Sequence, residues 1–133
     1  MRLGAPLMRL GVVDGLLWGS ALAVFAILFG ILGLTPSLTW IPELPLLVVG
    51  AVVPVLLLAG AGWRAGLRSG KRIVGFVAGA LAGAMGGVAG GTCYVVYGKP
   101  ALNLAVGLVV GVAAGFVIGG LAGVRAGKYK AIS

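Results

Sequence analysis

The sequence contains no histidine, one cysteine and two acidic residues among its 133 residues. Without histidine the chain lacks the commonest zinc ligand, the usual haem ligand and the most frequent general base. Cys93 alone can form neither an internal disulfide nor, within one chain, a cysteine-based metal site. Asp14 and Glu43 are far apart in the sequence and form no carboxylate pair. We therefore predict no catalytic, cofactor-binding or metal-binding residues, and no enzymatic activity.

Charged residues are scarce as well, at 9% of the chain, whereas hydrophobic residues make up 61%. A soluble domain of this length has too much surface to hide so much apolar material. An apolar surrounding removes that difficulty, because the exposed side chains then contact lipid instead of water. The composition predicts that most of the chain lies in a membrane.

Four apolar runs are each long enough to cross roughly 30 Å of hydrocarbon at about 1.5 Å per helical residue. No Asp, Glu, Lys or Arg interrupts any of them. Helix is expected because a segment in lipid must satisfy its backbone hydrogen bonds internally. We predict an all-α, polytopic membrane protein with a single four-helix transmembrane domain over residues 1–133. The predicted helices cover approximately residues 15–34, 44–62, 73–97 and 101–124.

The connections between the runs predict antiparallel hairpins. Gly98, Lys99 and Pro100 form a very short reversal, which makes the third and fourth helices antiparallel neighbours. Pro36 and Pro42 lie between the first two runs, in a loop that cannot remain helical.

The ten basic residues give a formal net charge of +8. In a soluble protein this excess would suggest nucleic-acid binding. Here the cations form clusters between apolar runs, where they can hold the segment ends against anionic lipid headgroups. We therefore expect contact with the lipid bilayer and none with nucleic acid.

The distribution of the cations predicts the orientation of the chain. Nine of them fall on one side of the predicted spans, and Lys99 alone falls on the other. The positive-inside rule then places both termini in the cytoplasm, and we predict a multi-pass protein of the bacterial inner membrane. Besides Arg2 and Arg9, the topology-setting residues are Arg64, Arg68, Lys71, Arg72, Arg125, Lys128 and Lys130.

Glycine recurs every fourth residue through the third and fourth predicted helices. Residues four apart lie on nearly the same helix face, so each series forms a groove without side chains. In lipid, helices associate through close backbone approach, which such grooves permit. We predict glycine-zipper packing of these two helices. The helix-packing residues are Gly75, Gly79, Gly83, Gly87 and Gly91 in the third helix and Gly107, Gly111, Gly115, Gly119 and Gly123 in the fourth, with Gly127 continuing the series.

Shorter series of small residues occur elsewhere. Ala78, Ala82, Gly86 and Gly90 form a second row on the third helix, so that helix could be approached on two sides. A further series in the first helix comprises Gly11, Gly15, Gly19 and Ala23.

Asp14 is the only acidic residue beside a membrane segment at the basic side. We expect its side-chain oxygen to cap the N-terminus of the first helix, and pairing with Arg9 is the alternative. A proton or cation site is a third interpretation, although such a site would lie deeper in the membrane beside a partner.

The absence of site chemistry, together with the strong packing pattern, predicts a non-catalytic accessory subunit of a larger bacterial membrane protein complex. Respiratory, photosynthetic, secretion and transport complexes all fit, with other membrane protein subunits as partners. The alternative is a small homo-oligomeric transporter or channel, which would usually need polar residues between the two interfaces. An assembly factor that binds its partners transiently is a third possibility.

Overall fold

A computed structural model describes residues 4–34 and 42–132, and within these ranges the chain forms four helices. All four are long and apolar enough to span a membrane, as the sequence predicts. At about 1.5 Å per residue, even the shortest helix exceeds the roughly 30 Å of a hydrocarbon core. The predicted loop around Pro36 lies outside the described residues. The helices are α1 (Ala5–Leu34), α2 (Glu43–Ser69), α3 (Arg72–Val96) and α4 (Leu102–Ile132).

Three of the helices extend well past the limits expected from the apolar runs. α1 begins at Ala5 instead of near residue 15, α2 ends at Ser69 instead of near 62, and α4 ends at Ile132 instead of near 124. The apolar run marks only the part that fits the hydrocarbon. A helix can continue into the headgroup region, where charged side chains are solvated.

α1 and α3 are parallel neighbours. An added Cβ atom on Gly11 would lie 2.9 Å from Val74 Cγ1, and one on Gly19 would lie 3.0 Å from Ala82 Cα. The residue numbers increase together along both helices, so the two chains run in the same direction.

α2 and α4 are also parallel. An added Cβ on Gly62 would overlap the carbonyl oxygen of Gly119, and one on Gly66 would lie 2.9 Å from Gly123 Cα. α2 additionally contacts α1 and α3, whereas α1 and α4 make no contact across the described residues.

The cations of the described residues, Lys99 excepted, collect at one end of the bundle, which we call the basic end. It comprises the start of α1, the α2–α3 connection and the end of α4. Lys99 lies at the opposite end, in the α3–α4 connection. Both connections use a glycine with positive φ, Gly70 at 68° and Gly98 at 84°, a backbone conformation that other residues rarely adopt. The cations of the basic end are Arg9, Arg64, Arg68, Lys71, Arg72, Arg125, Lys128 and Lys130.

Small residues fill the interior of the bundle and large apolar residues cover its outside. Ala61, Ala65, Ala78 and Ala82 are fully buried, whereas residues such as Leu56 expose more than half of their surface. The largest buried apolar side chains are few, and two of them, Leu22 and Leu58, belong to one cluster with Ala61 and Ala82. This distribution is the reverse of a soluble core and is expected where lipid surrounds the helices.

Candidate functional site

The backbones of α3 and α4 touch at successive glycines. An added Cβ on Gly83 would overlap the carbonyl oxygen of Gly111, and one on Gly79 would overlap that of Gly115. The overlap is with backbone atoms, which cannot rotate away as a flexible side chain can. Even alanine is therefore too large at these positions unless the helices move apart.

The contact continues toward the opposite end. An added Cβ on Gly87 would overlap the carbonyl oxygen of Gly107, and one on Gly91 would lie 2.8 Å from Leu104 Cα. Residue numbers fall along α3 as they rise along α4, so these two helices run in opposite directions. The structure thus brings the predicted residues of both series face to face. Gly127 is the exception, because an added Cβ there would meet its nearest atom, the Gly70 carbonyl oxygen, at an ordinary 3.8 Å.

Toward the basic end, α2 joins this interface. An added Cβ on Gly75 would lie 2.7 Å from Gly123 Cα and 3.2 Å from the Gly62 carbonyl oxygen. One on Gly119 would lie 2.5 Å from Gly79 Cα. Three backbones therefore converge within van der Waals distance, which only residues without side chains permit.

The second small-residue row of α3 faces α1 over part of its length. An added Cβ on Gly15 would lie 3.0 Å from the Ala78 carbonyl oxygen, and Leu22 packs directly on Gly86. Gly90, the last residue of that row, has no atom within 4 Å of an added Cβ.

Asp14 does not cap a helix. Because α1 begins at Ala5, Asp14 lies well inside the helix, where its backbone already takes part in regular hydrogen bonds. Its partner is not Arg9 either. The expectation was wrong because the helix continues through the basic residues that precede the apolar run.

Asp14 instead pairs with two arginines of α2. Arg68 Nη1 donates a hydrogen bond to Asp14 Oδ1 at 2.9 Å, and Arg64 Nε lies 3.3 Å from the same oxygen. Asp14 is fully buried, whereas the two arginine side chains remain about half exposed. A buried carboxylate needs such partners, since removing its charge from water costs several kcal/mol. The cluster fixes α1 against α2 at the basic end.

Two buried polar atoms beside this cluster have no hydrogen-bond partner among the described residues. They are Asp14 Oδ2 and, one helical turn further along α1, Trp18 Nε1. They lie on the same face of α1, because residues four apart are neighbours on a helix surface.

Sequence reasoning treated Arg64 and Arg68 only as topology-setting residues and missed this cluster. Their spacing of four residues puts both guanidinium groups on one face of α2. The sole acid at the same membrane end is their natural partner, and that combination is the signal that could have found the cluster.

The other predicted topology-setting residues lie around the same end. Lys130 Nζ donates a hydrogen bond to the Arg68 carbonyl oxygen at 3.0 Å, which links the end of α4 to the end of α2. Five others, Arg9, Lys71, Arg72, Arg125 and Lys128, are exposed, and Arg2 lies outside the described residues.

The opposite half of the bundle contains a cavity of about 360 Å³ to which all four helices contribute. Its lining is mainly apolar and includes Phe25, Phe29, Pro54 and Ala114, with Tyr94 as the one residue carrying a polar side chain. Pro54 has no amide hydrogen, so the usual helical bond to the carbonyl of Gly50 is missing, and Gly50 also lines the cavity.

The four long apolar helices and their small-residue interfaces indicate a multi-pass membrane protein. Across residues 4–34 and 42–132, no group of three or more His, Cys, Asp or Glu side chains is placed to hold a metal ion. No family model matches the chain, and neither does any curated protein or solved structure.

Proposed function

We propose that the protein is a non-catalytic accessory subunit of a larger bacterial membrane protein complex, to which it contributes helix packing. The observation that carries the proposal is the placement of small residues inside and bulky apolar residues outside. α3 buries mainly glycine and alanine, while α1, α2 and α4 present exposed Leu, Val and Ile side chains to their surroundings. Such an outer surface suits lipid and the helices of other subunits alike.

Within this proposal, α3 and α4 form an antiparallel hairpin held by a glycine zipper. The support is the overlap that an added Cβ at Gly79, Gly83 or Gly87 would make with the α4 backbone. Close backbone approach gives van der Waals contact and weak Cα–H to carbonyl bonds, the main attractions available between helices in lipid. The hairpin then acts as a rigid unit against which α1 and α2 pack.

We also propose that the basic end faces the cytoplasm of the bacterial inner membrane. The support is the collection of cations at that end, whereas Lys99 is the one cation of residues 4–34 and 42–132 at the other. A reporter that is active only in the cytoplasm, fused after residue 133 or inserted beside Lys99, tests the orientation. We expect only the terminal fusion to be active. If only the insertion beside Lys99 were active, the basic end would face away from the cytoplasm.

Purification in mild detergent tests the subunit proposal. We expect an affinity-tagged chain to co-purify at fixed stoichiometry with larger membrane proteins, and the same partners to appear when the tag is moved to the other terminus. The matched control is a tagged, unrelated four-helix membrane protein expressed at the same level. Isolation of the chain alone from its native membrane, in the detergent that preserves other complexes, would contradict the proposal.

The alternative, a small homo-oligomeric transporter or channel, is favoured by one observation, the cavity between the four helices. Its apolar lining does not suit an ion path, which would need polar groups. A purified homo-oligomer that carries solute flux in liposomes would support this alternative in place of the subunit.

A further inference from the structure

We propose that the basic end carries a binding site for the headgroup of an anionic membrane phospholipid. The site is a cleft of about 390 Å³ between the start of α1 and the end of α2, which we call the Arg9 cleft. Two of its lining residues, Arg9 and Arg68, are cationic, and the other four are apolar. The lining residues are Ala5, Pro6, Arg9, Leu10, Val13 and Arg68.

The charge around the Arg9 cleft is strongly unbalanced. Arg9 is exposed and forms no ion pair or hydrogen bond with the described residues. Among the described residues Asp14 supplies the only carboxylate in this region, and it is shared by Arg64 and Arg68. Three guanidinium groups against one carboxylate leave two positive charges uncompensated. These positive charges repel one another, and an anion in the cleft would reduce the repulsion between them.

Asp14 also fixes one of the two cations in place. Arg68 Nη1 donates to Asp14 Oδ1 at 2.9 Å, while 42% of the arginine side chain remains exposed. A guanidinium group carries five N–H donors in a planar fork, so donors are left over after this contact. Holding the fork in place lowers the entropy lost when a phosphate group binds.

The level of the cleft in the membrane favours a phospholipid over a free anion as its ligand. Arg9 precedes the apolar run that begins near residue 15 by roughly 9 Å of helix, which corresponds to the headgroup region outside the hydrocarbon. Leu10 and Val13 line the same cleft beside the arginines. The arginines can contact the phosphate group of a phospholipid, while the apolar residues contact the start of its acyl chains. Basic pockets between membrane helices recognise anionic headgroups in this way.

The test compares the stabilisation of the detergent-solubilised, full-length chain by phosphatidylglycerol, phosphatidylcholine and inorganic phosphate. The variant is Arg9→Gln, which removes a cation that pairs with no described residue. Its matched control is Arg125→Gln, which removes another exposed arginine of the basic end that lies outside the cleft. Arg68 is not substituted, because its loss would leave the buried Asp14 with one partner fewer.

We expect phosphatidylglycerol to raise the midpoint of thermal unfolding of the wild type, with little effect from the other two probes. Arg9→Gln should bind phosphatidylglycerol about fivefold more weakly, the loss expected from one cation at a membrane surface. Arg125→Gln should bind it like the wild type. Native mass spectrometry provides a second measurement, as the number of phosphatidylglycerol molecules retained per chain.

Two outcomes would overturn the proposal. Equal losses in Arg9→Gln and Arg125→Gln would mean that the whole basic end attracts anionic lipid without a defined site. Equal stabilisation by inorganic phosphate and by phosphatidylglycerol would mean that the cleft binds a free anion. Neither outcome bears on whether the chain is a subunit of a larger complex.

Discussion

The two halves of the bundle are held together differently. In the half toward the basic end, the backbones of α2, α3 and α4 meet at glycines, and a buried carboxylate joins α1 to α2. In the opposite half the four helices line a cavity of about 360 Å³ that is open on one side. Glycines alone therefore do not decide how closely the helices of a membrane bundle pack. Their effect depends on how many neighbouring helix backbones lie within reach.

The difference between the halves arises mainly from the path of α2. α3 and α4 stay in contact along both halves, from Gly75 beside Gly123 to Gly91 beside Leu104. α2 contacts α4 closely at Gly62, but nearer its start, at Gly50 and Pro54, it borders the cavity instead. The tight half is therefore the one in which α2 adds a third backbone to the α3–α4 pair.

The largest effect is expected from removing both partners of the buried carboxylate. Arg64→Gln combined with Arg68→Gln leaves Asp14 buried without a cation, and we expect a loss of about 3 kcal/mol in the free energy of unfolding. Titration with a denaturing detergent, followed by helical circular dichroism, measures that loss.

Adding Asp14→Asn to this double variant should restore most of the stability, because no buried charge then remains. The matched control is Lys71→Gln with Arg72→Gln, which removes two exposed cations of the same end and should change stability little. Equal stability of the two double variants would show that the cluster of Asp14, Arg64 and Arg68 does not stabilise the half toward the basic end.

An intermediate effect is expected from one methyl group at the α3–α4 interface. Gly83→Ala would push a Cβ into the Gly111 backbone, and we expect a loss of about 2 kcal/mol. Gly90→Ala is the matched control on the same helix, because an added Cβ there meets nothing within 4 Å.

Gly90→Ala should leave stability unchanged or raise it by up to about 1 kcal/mol, since alanine favours helix over glycine. Both variants are measured by the same detergent titration. Similar losses in the two variants would mean that glycine matters here for flexibility and not for close approach.

The smallest effect is expected inside the cavity. Gly33 lines it and has open space around an added Cβ, so Gly33→Ala should shift the free energy of unfolding by about 0.5 kcal/mol or less. The comparison is with Gly62→Ala in the tight half, where the added atom would overlap the Gly119 backbone. If Gly33→Ala lowered the free energy of unfolding more than Gly62→Ala, the half that contains the cavity would be the more tightly packed one, contrary to the structure.

The four helices were predictable from the sequence because the length of an apolar run and the absence of charge are local properties. The true ends were not, since a helix such as α1 continues into the headgroup region, where composition no longer distinguishes helix from loop. The error at Asp14 followed directly from this. Once the helix was assumed to start at residue 15, the preceding acid was assigned to its cap in preference to a partner on another helix.

The candidate sites depend on relations between helices, which spacing within one helix cannot give. The four-residue series identifies Gly83 and Gly90 as similar small positions, but only one of them faces another backbone. The Arg9 cleft likewise combines α1 with the end of α2, and nothing near Arg9 in the sequence indicates Arg68 as its neighbour.

The packing of α3 against α4 is tested by the distance between their backbones in a lipid bilayer. Solid-state NMR with carbon-13 at Gly83 Cα and at the Gly111 carbonyl measures it without changing any side chain. We predict van der Waals contact, about 4 Å, between the two carbons. The absence of a dipolar coupling between them in the folded protein would contradict it.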